Sequence, residues 1–484
     1  MYGADLIFRS FPTIRVFYAT IIFMKNLIIH NVRLVDSHMD SAGSILVSEG
    51  KIKSVFLGAV GLDALLSVSP DTETFDGHGL VLMPSFVDMH AHFRYPGQTQ
   101  KEDLDSGLAA AAAGGFGTLV LMPNTSPVVS DRNLAKKIMA EAAERNTARV
   151  FQTVSITKNF GGADTSALDE LLQEETPVIS EDGHDVLSSA VMLDGMRRAA
   201  EKGIIVACHC EDVTLAEAAR PYRKKALALM KEHGIPAGKV NVDTSSVPKN
   251  VLDEINENLT RANEFLALAE DAATERNIEI AKIAGCHIHV CHCSTGTSLD
   301  AVRRAKDDVA HGRTKPGFCC TVEVTPHHLG LTGVDAPNIR ALVNPPLRSD
   351  ADREAIFRAF KDGTVDCIGT DHAPHTQDDK ASGSPGFSGL ETAFAVCNTN
   401  LCVGVGLSLS RLSGLLSHNA AQILGIRSGR LLPDYNADFV LVDPSESWTV
   451  DPSAFKSKGK STPFEGKTLV GRVHATFFGG SRVF

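Results

Sequence analysis

Cysteine is absent from the first 200 residues, and all ten cysteines lie between positions 208 and 402. Most of them fall inside apolar, strand-like runs, a pattern that indicates buried free thiols in a reducing cytoplasm and argues against a secreted disulfide framework. The Cys-His-Cys triplets at 208–210 and 291–293 look like zinc clusters, but side chains alternate along a strand. The cysteines would then face away from the side used by each histidine, so we interpret them as packing residues.

The chain also lacks a basic excess and an uninterrupted apolar run of about 18 residues. A formal net charge of -11 leaves no basic field to hold nucleic acid or an anionic membrane surface. The apolar segment 1–23 is interrupted by Arg9, Pro12 and Arg15, which argues against a membrane span, and it has no signal-peptide cleavage pattern. We expect translation to begin at Met24, which makes 1–23 a non-native or unstructured extension.

What the chain does contain is typical of a cytoplasmic enzyme with a small-molecule substrate. Its 484 residues are 43% hydrophobic and 22% charged, which is enough apolar material for a large core. The length exceeds one ordinary domain, although α/β barrels reach this size with appended pieces.

Two β-rich ends flank a middle of different character. Short alternating strands occupy residues 24–80 and 427–484, which predicts one small β-sandwich-like domain built from both termini. Residues 81–426 repeat a strand-then-helix rhythm, which predicts a parallel (β/α)8 TIM-type barrel with its site at the carboxyl ends of the strands. The expected strands end near His92, Pro123, Thr157, Asp182, Glu211, Ser294, His328 and His372. The connection 213–285 is long, charged and helical, and we leave open whether it forms a lid or an interface.

Imidazoles and carboxylates follow several of these predicted strands. His90 and His92 share one face of the first strand, about 6–7 Å apart at Cα. The full set at strand ends is His90, His92, Asp182, His209, His292 and Asp371. Four histidines and two carboxylates suit a pair of Zn²⁺ ions with a bridging carboxylate, and such a pair activates water against an amide or ester carbonyl. Asp371 is the candidate to carry the proton to the leaving nitrogen.

The order and the amino-acid sequences of these motifs resemble those of the dihydroorotases in their bacterial class I form. The matching segments are HAHFRYPG from His90, KEDLDSG, MPNT, SEDG, CHCED, HVCHCST, EVTPHH, NPPLRSDADRE and TDHAPH, ending at His375. The resemblance implies an amidohydrolase barrel in which the six residues above hold two zinc ions, Asp182 touches both ions and Asp371 is also the catalytic acid/base. It further implies that the substrate is held by His92, Arg94, Asn124, Asn344, His375 and the loop at Pro385 and Gly386.

The activity implied by the resemblance is the reversible cyclisation of N-carbamoyl-L-aspartate to L-dihydroorotate in pyrimidine synthesis. Arg94 would offer a planar pair of donors to the substrate carboxylate. A homodimer and a complex with aspartate transcarbamoylase stay open, whereas neither nucleic acid nor a membrane is expected as a partner.

Two departures and two alternatives accompany this interpretation. Glu181 stands where the family usually has Asp, and the connection 213–285 is longer than usual. Hydantoinases and allantoinases bridge their metals with a carboxylated lysine, but the run TPVISED before Gly183 contains none, and Lys158 is expected to be an exposed loop residue. An inactive dihydroorotase-like scaffold of aspartate transcarbamoylase would have lost metal ligands, and here all six positions are filled.

Overall fold

The computed structural model describes residues 26–69, 72–236, 242–333 and 342–484. The predicted extension 1–23 lies outside these ranges. Among the helices of the described residues, none has the length and apolar character of a membrane span.

The strands, in chain order, include a long set near each terminus and a short, buried set in the middle. They are Leu27–Asp36 (β1), Met39–Ser48 (β2), Lys51–Leu57 (β3), Glu73–Asp76 (β4), Val81–Pro84 (β5), Phe86–Ala91 (β6), Phe116–Leu121 (β7), Arg149–Gln152 (β8), Val178–Ser180 (β9), Ile205–Cys208 (β10), His287–Val290 (β11), Cys319–Val324 (β12), Cys367–Ile368 (β13), Phe439–Thr449 (β14), Thr468–Phe478 (β15) and Ser481–Arg482 (β16).

The α-helices lie mostly between the middle strands. They are Leu62–Val68 (α1), Leu104–Gly114 (α2), Arg132–Ala143 (α3), Ser189–Lys202 (α4), Val213–Glu232 (α5), Lys249–Ala284 (α6), Gly296–Ala310 (α7), Pro326–Gly330 (α8), Asp350–Asp362 (α9), Gln377–Ala381 (α10), Ala393–Cys397 (α11), Leu409–Ser413 (α12) and Asn419–Ile423 (α13). Short 3₁₀ segments occur at Lys158–Phe160, Ser166–Glu170, Leu390–Thr392 and Pro452–Ala454, and π-helical segments at Asn398–Gly404 and Gly414–His418.

One mixed sheet joins the two ends of the chain. Its strand order is β16-β15-β14-β5-β1-β2-β3, with β4 beside β1. The joining strand is β5, which runs parallel to β1 and antiparallel to β14, with Leu82 opposite Leu441. Both residues are fully buried. Val81–Pro84 therefore belongs to the terminal sheet, and the barrel starts at β6, a few residues after the boundary at 81 drawn from the sequence.

The eight strands β6 to β13 close into the predicted parallel barrel. Two parallel runs, β6-β7-β8 and β9 to β13, are joined by bridges between Val154 and Ile179 and between Ala91 and His372. At the second seam His92 N donates to His372 O at 2.8 Å. Each strand predicted from the sequence appears in order, so the barrel is confirmed, and the carboxyl ends of its strands meet at one rim.

The long connection after β10 folds into the helices α5 and α6. Asp212 begins α5, because its Oδ1 accepts hydrogen bonds from Thr214 N and Leu215 N. The helix α6 ends at Gly285, whose φ of 73° is left-handed. Apolar side chains of both helices, including Met230 and Leu259, form a separate core. The predicted helical character of this connection is therefore present.

Candidate active site

Asp182 stands at the centre of the predicted ligand set, just after β9. Its Oδ1 lies 3.4 Å from His90 Nε2, 3.5 Å from His209 Nδ1 and 3.8 Å from His292 Nε2. Its Oδ2 lies 3.6 Å from His92 Nε2. Each carboxylate oxygen thus faces different imidazoles, so this side chain stands among all four histidines of the set.

Asp371 completes the cluster from the end of β13. Its Oδ1 lies 3.1 Å from His92 Nε2 and 3.7 Å from His90 Nε2. Two overlapping groups of three side chains result, His90 with Asp182 and His292, and His90 with His92 and Asp371. In each group the candidate ligand atoms all lie within 4.8 Å of one another.

Polar atoms without a hydrogen-bond partner show that this cluster fits a metal. Among the described residues, His90 Nε2, Asp182 Oδ1 and His292 Nδ1 are buried and make no hydrogen bond. Buried polar atoms are normally paired, because leaving one unpaired costs roughly 1–3 kcal/mol. Imidazole nitrogens and carboxylate oxygens are the donors that divalent metal ions accept, so the residues present suit a metal cofactor.

The electrostatics keep both carboxylates ionised. Burial raises the pKa of Asp182, but His90, His209 and His292 outweigh burial and hold the pKa well below its ordinary value. Burial also raises the pKa of Asp371, and the hydrogen bond from His92 with the charge of His90 again lowers it overall. Ionised carboxylates are the form that binds metal and accepts a proton.

Glu323 contacts two histidines of the cluster and was not predicted as a site residue. Its Oε1 lies 3.0 Å from His90 Nδ1 and accepts from His292 N at 3.2 Å, while Oε2 lies 3.2 Å from His289 Nε2. A Cβ on Gly369 would lie 2.2 Å from Glu323 Oε2, so this close approach requires glycine. A carboxylate on Nδ1 turns the opposite nitrogen of His90 towards Asp182, as is usual for metal-binding histidines.

A cavity of about 320 Å³ opens beside the cluster. That volume suits a small molecule. Its walls include every side chain or loop predicted to contact the substrate, namely His92, Arg94, Asn124, Asn344, His375, Pro385 and Gly386. The structure thus brings together members of the two predicted sets that are far apart in sequence, such as His90 and Gly386. His184 also lines the cavity and was not predicted.

Arg94 lies on one wall of this cavity and is held from two sides. Its Nε donates to Pro374 O at 3.2 Å, and its Nη2 lies 3.2 Å from His375 Nε2. Burial and the charge of Arg94 lower the pKa of His375 to about 3, so this imidazole is neutral at physiological pH. Arg94 has a left-handed φ of 55°, as do Asp371 at 47° and His292 at 34°. Such backbone is uncommon outside glycine and concentrates at functional sites.

Asn124 makes contacts that the sequence did not indicate. Its Nδ2 donates to Asp182 Oδ2 at 2.9 Å, and its Oδ1 lies 2.9 Å from His92 Nδ1. The amide therefore spans two of the predicted ligands while it lines the cavity. Because this contact joins the ends of three strands, no local pattern could have revealed it.

The two alternatives to Asp182 as the central metal-binding group, Glu181 and Lys158, lie outside the cluster. Glu181 accepts hydrogen bonds from Thr157 N at 2.9 Å and from Thr157 Oγ1, whereas Asp182 faces the imidazoles. Burial raises the pKa of Glu181 to about 7. Lys158 is exposed. The alternation along the strand predicted this placement of Glu181.

Solved structures of similar fold include a hydantoinase and a dihydropyrimidinase. The L-hydantoinase (dihydropyrimidinase) of Arthrobacter aurescens superposes with a TM-score of 0.77 at 23% identity, over 95% of this chain and 96% of its own. The dihydropyrimidinase of Brevibacillus agri gives a TM-score of 0.74 at 21% identity, over 95% of each chain. At such identities the likeness shows the fold alone, which is a parallel barrel with an added sheet.

Sequence relatives are closer. The model of the amidohydrolase family matches residues 81–483. A dihydroorotase of Clostridium botulinum is 36% identical over 94% of this chain and 98% of its own length. A dihydroorotase of Syntrophus aciditrophicus is 34% identical over 93% of this chain and 97% of its own. The chain belongs to the amidohydrolase family and, within it, to the dihydroorotases.

Proposed function

We propose that this chain interconverts N-carbamoyl-L-aspartate and L-dihydroorotate, the reversible ring closure of pyrimidine synthesis. The observation that carries the proposal is that Arg94 lines the same cavity as His92, Asp182 and Asp371. The substrate has a carboxylate to be recognised and an amide carbonyl to be attacked, and the two halves of this cavity match these two groups.

We propose further that the cofactor is two Zn²⁺ ions held by His90, His92, Asp182, His209, His292 and Asp371. When bound, such ions supply Lewis acidity at the scissile carbonyl and lower the pKa of the attacking water. The two overlapping ligand groups, which share His90, support this assignment, and Asp182 of the first group also faces His92 of the second. An inactive scaffold would lack metal, so metal analysis of the purified protein separates it from the enzyme.

The chain's own residues then have distinct tasks. Asp371 begins as a carboxylate, so it can take a proton from the attacking water and return it to the leaving nitrogen. Arg94 offers its guanidinium to the substrate carboxylate, and the amides of Asn124 and Asn344 orient the ring. His375 is neutral beside Arg94, so it adds no second positive charge at this wall of the cavity.

Reversible ring closure, measured beside hydantoin and allantoin hydrolysis, tests the proposed reaction. We expect the zinc-loaded protein to convert N-carbamoyl-L-aspartate to dihydroorotate and back, with kcat/KM for dihydroorotate above that for either alternative. Faster turnover of hydantoin or allantoin would replace the proposal with the related cyclic amidase.

Replacing Arg94 with lysine tests the recognition of the substrate carboxylate. Lysine keeps the charge but loses the paired donors, so we expect a rise in KM of roughly tenfold or more, since a hydrogen bond to a charged group contributes about 1.5–3 kcal/mol. Metal content, measured on the same sample, should be unchanged because Arg94 is not in the ligand set. Unaltered KM and kcat would remove Arg94 from the substrate site.

The cellular setting and the partners are also proposals. All ten cysteines are free, and most are buried, which supports a reducing cytoplasm. A homodimer and a complex with aspartate transcarbamoylase follow only from the family resemblance, and sedimentation of the protein alone and with the transcarbamoylase would test them.

A further inference from the structure

Arg223 occupies an unusual position in the long connection 213–285, on the inner face of α5. It shares that face with the buried residues Ala219, Ala226 and Met230. A guanidinium in such surroundings needs partners, because taking a charge out of water is costly. Burial lowers the pKa of Arg223 to about 10, and the negative charge of Glu211 acts in the opposite direction. The side chain is therefore still a cation at neutral pH, and it can only donate hydrogen bonds.

The partner of Arg223 is the loop that carries Asn344. Arg223 Nη1 donates to Asn344 Oδ1 at 2.7 Å, and Nη2 donates to Val343 O at 3.5 Å. Since a guanidinium has no acceptor, the amide atom facing it must be the oxygen. The contact therefore determines which end of the Asn344 amide is the oxygen and which is the nitrogen. Oδ1 points to α5, which leaves the Nδ2 group of Asn344 for the cavity that this residue lines.

The connection 213–285 contacts the loop that carries Asn344 at a second position. Arg348, four residues after Asn344, donates to Glu270 Oε2 at 2.8 Å and to Leu266 O at 3.1 Å, both on α6. The loop is thus hydrogen-bonded to α5 at Asn344 and to α6 at Arg348. These two contacts hold the backbone that carries the Asn344 amide beside the cavity.

Helix α5 is also packed against the loop on the next wall of the cavity. A Cβ on Gly383 would lie 2.5 Å from Leu227 Cδ1, so the helix touches the segment just before Pro385. Because α5 contacts both loops, the position of Arg223 relative to the cavity is set by packing as well as by its hydrogen bonds.

We propose that Arg223 is a positioning residue, which holds the amide of Asn344 with its N–H₂ group towards the cavity so that Asn344 recognises an acceptor oxygen of the substrate. The oxygen is a carboxylate or a ring carbonyl. This inference rests on the proposed function, whose substrate carries both. It also gives the helical connection a role in substrate recognition.

The Arg223→Met variant is the first test. Methionine keeps length and apolar volume but removes every donor, which frees the amide to rotate. We expect KM for dihydroorotate to rise about tenfold, the effect of one hydrogen bond of ordinary strength, with kcat changed less than KM and zinc content unchanged. Arg223→Lys keeps one donor for Asn344 and should recover part of the loss. The matched control is Arg220→Met, since Arg220 is exposed on the same helix and pairs with the exposed Glu217.

Two further variants separate positioning from general stability. Asn344→Asp replaces the cavity-facing donor with an oxygen of similar size, so we expect KM to rise at least as much as in Arg223→Met. It also keeps the test open if the methionine variant does not fold. In an Asn344→Ala background, Arg223→Met should add almost nothing to KM, because the two residues act as one unit.

An unchanged KM in Arg223→Met or in Asn344→Asp, or additive effects in the double variant, would overturn the inference while wild-type turnover of dihydroorotate kept the proposed function intact. No turnover by the zinc-loaded wild-type protein would instead reject the proposed function, and the inference with it.

Discussion

Asp371→Asn should lower kcat by roughly 10²–10⁴-fold, which is the usual contribution of a general acid–base residue. Asparagine keeps the size of the side chain but cannot take and return a proton. Asp371 lines the cavity, its Oδ1 lies 3.1 Å from His92 Nε2, and its lowered pKa keeps the carboxylate ionised. Steady-state kinetics of ring opening, with metal analysis of the same sample, measure the effect.

Loss of metal is the competing explanation for such a result, because Asp371 is also a proposed ligand. The comparison is therefore made at equal zinc content, with reloading by added zinc where needed. Asp378→Asn removes one charge from an exposed position nearby and serves as the control. A metal-retaining Asp371→Asn protein with near-normal kcat would refute the assignment.

Asp182→Ala should abolish metal binding in large part, since this carboxylate belongs to one ligand group and also faces His92 of the other. It would remove the oxygens that face His90, His209 and His292 on one side and His92 on the other. The four buried imidazoles would then lose the carboxylate they share, and Asp371 would remain beside His90 and His92 alone. We expect zinc content per chain to fall well below that of the wild type, with activity falling in parallel.

The controls decide between a carboxylate bridge and a carboxylated lysine. Glu181→Gln and Lys158→Ala should keep their zinc, since Glu181 faces Thr157 and Lys158 is exposed. Reconstitution of the apo-protein with zinc should proceed equally well with and without bicarbonate. A requirement for bicarbonate, or electron density for a carbamate on Lys158 between the ions, would contradict the assignment of Asp182.

The positions of the metal-binding candidates could be predicted because they depend on local rules. Apolar runs that end in a polar residue mark strand ends, and the carboxyl ends of parallel strands meet at one rim of a barrel. Asp182 and Glu181 show how far such rules extend. A two-residue alternation separates their side chains, and this alone predicted that Glu181 turns away.

Other contacts of the site depend on residues that are distant in sequence. Glu323 looked like one more residue of the EVTPHH motif, although it braces His90 and His292. Arg223 looked like one of several cations on a charged helix, although it donates to Asn344 across 121 residues. Neither has a sequence signal of its own, because the partner is supplied by another strand or loop.

By itself, the sequence determined the barrel, the order of its strands and the residue types at its rim, since hydrophobic periodicity and motif spacing act over a few residues. Only the tertiary structure decided that Val81–Pro84 joins the terminal sheet, because β5 is an apolar strand that suits either layer and is placed by its pairing with β1 and β14. It also decided which end of the Asn344 amide faces the substrate. An amide has a donor and an acceptor of equal size, and only a neighbour such as Arg223, which can donate but not accept, distinguishes them.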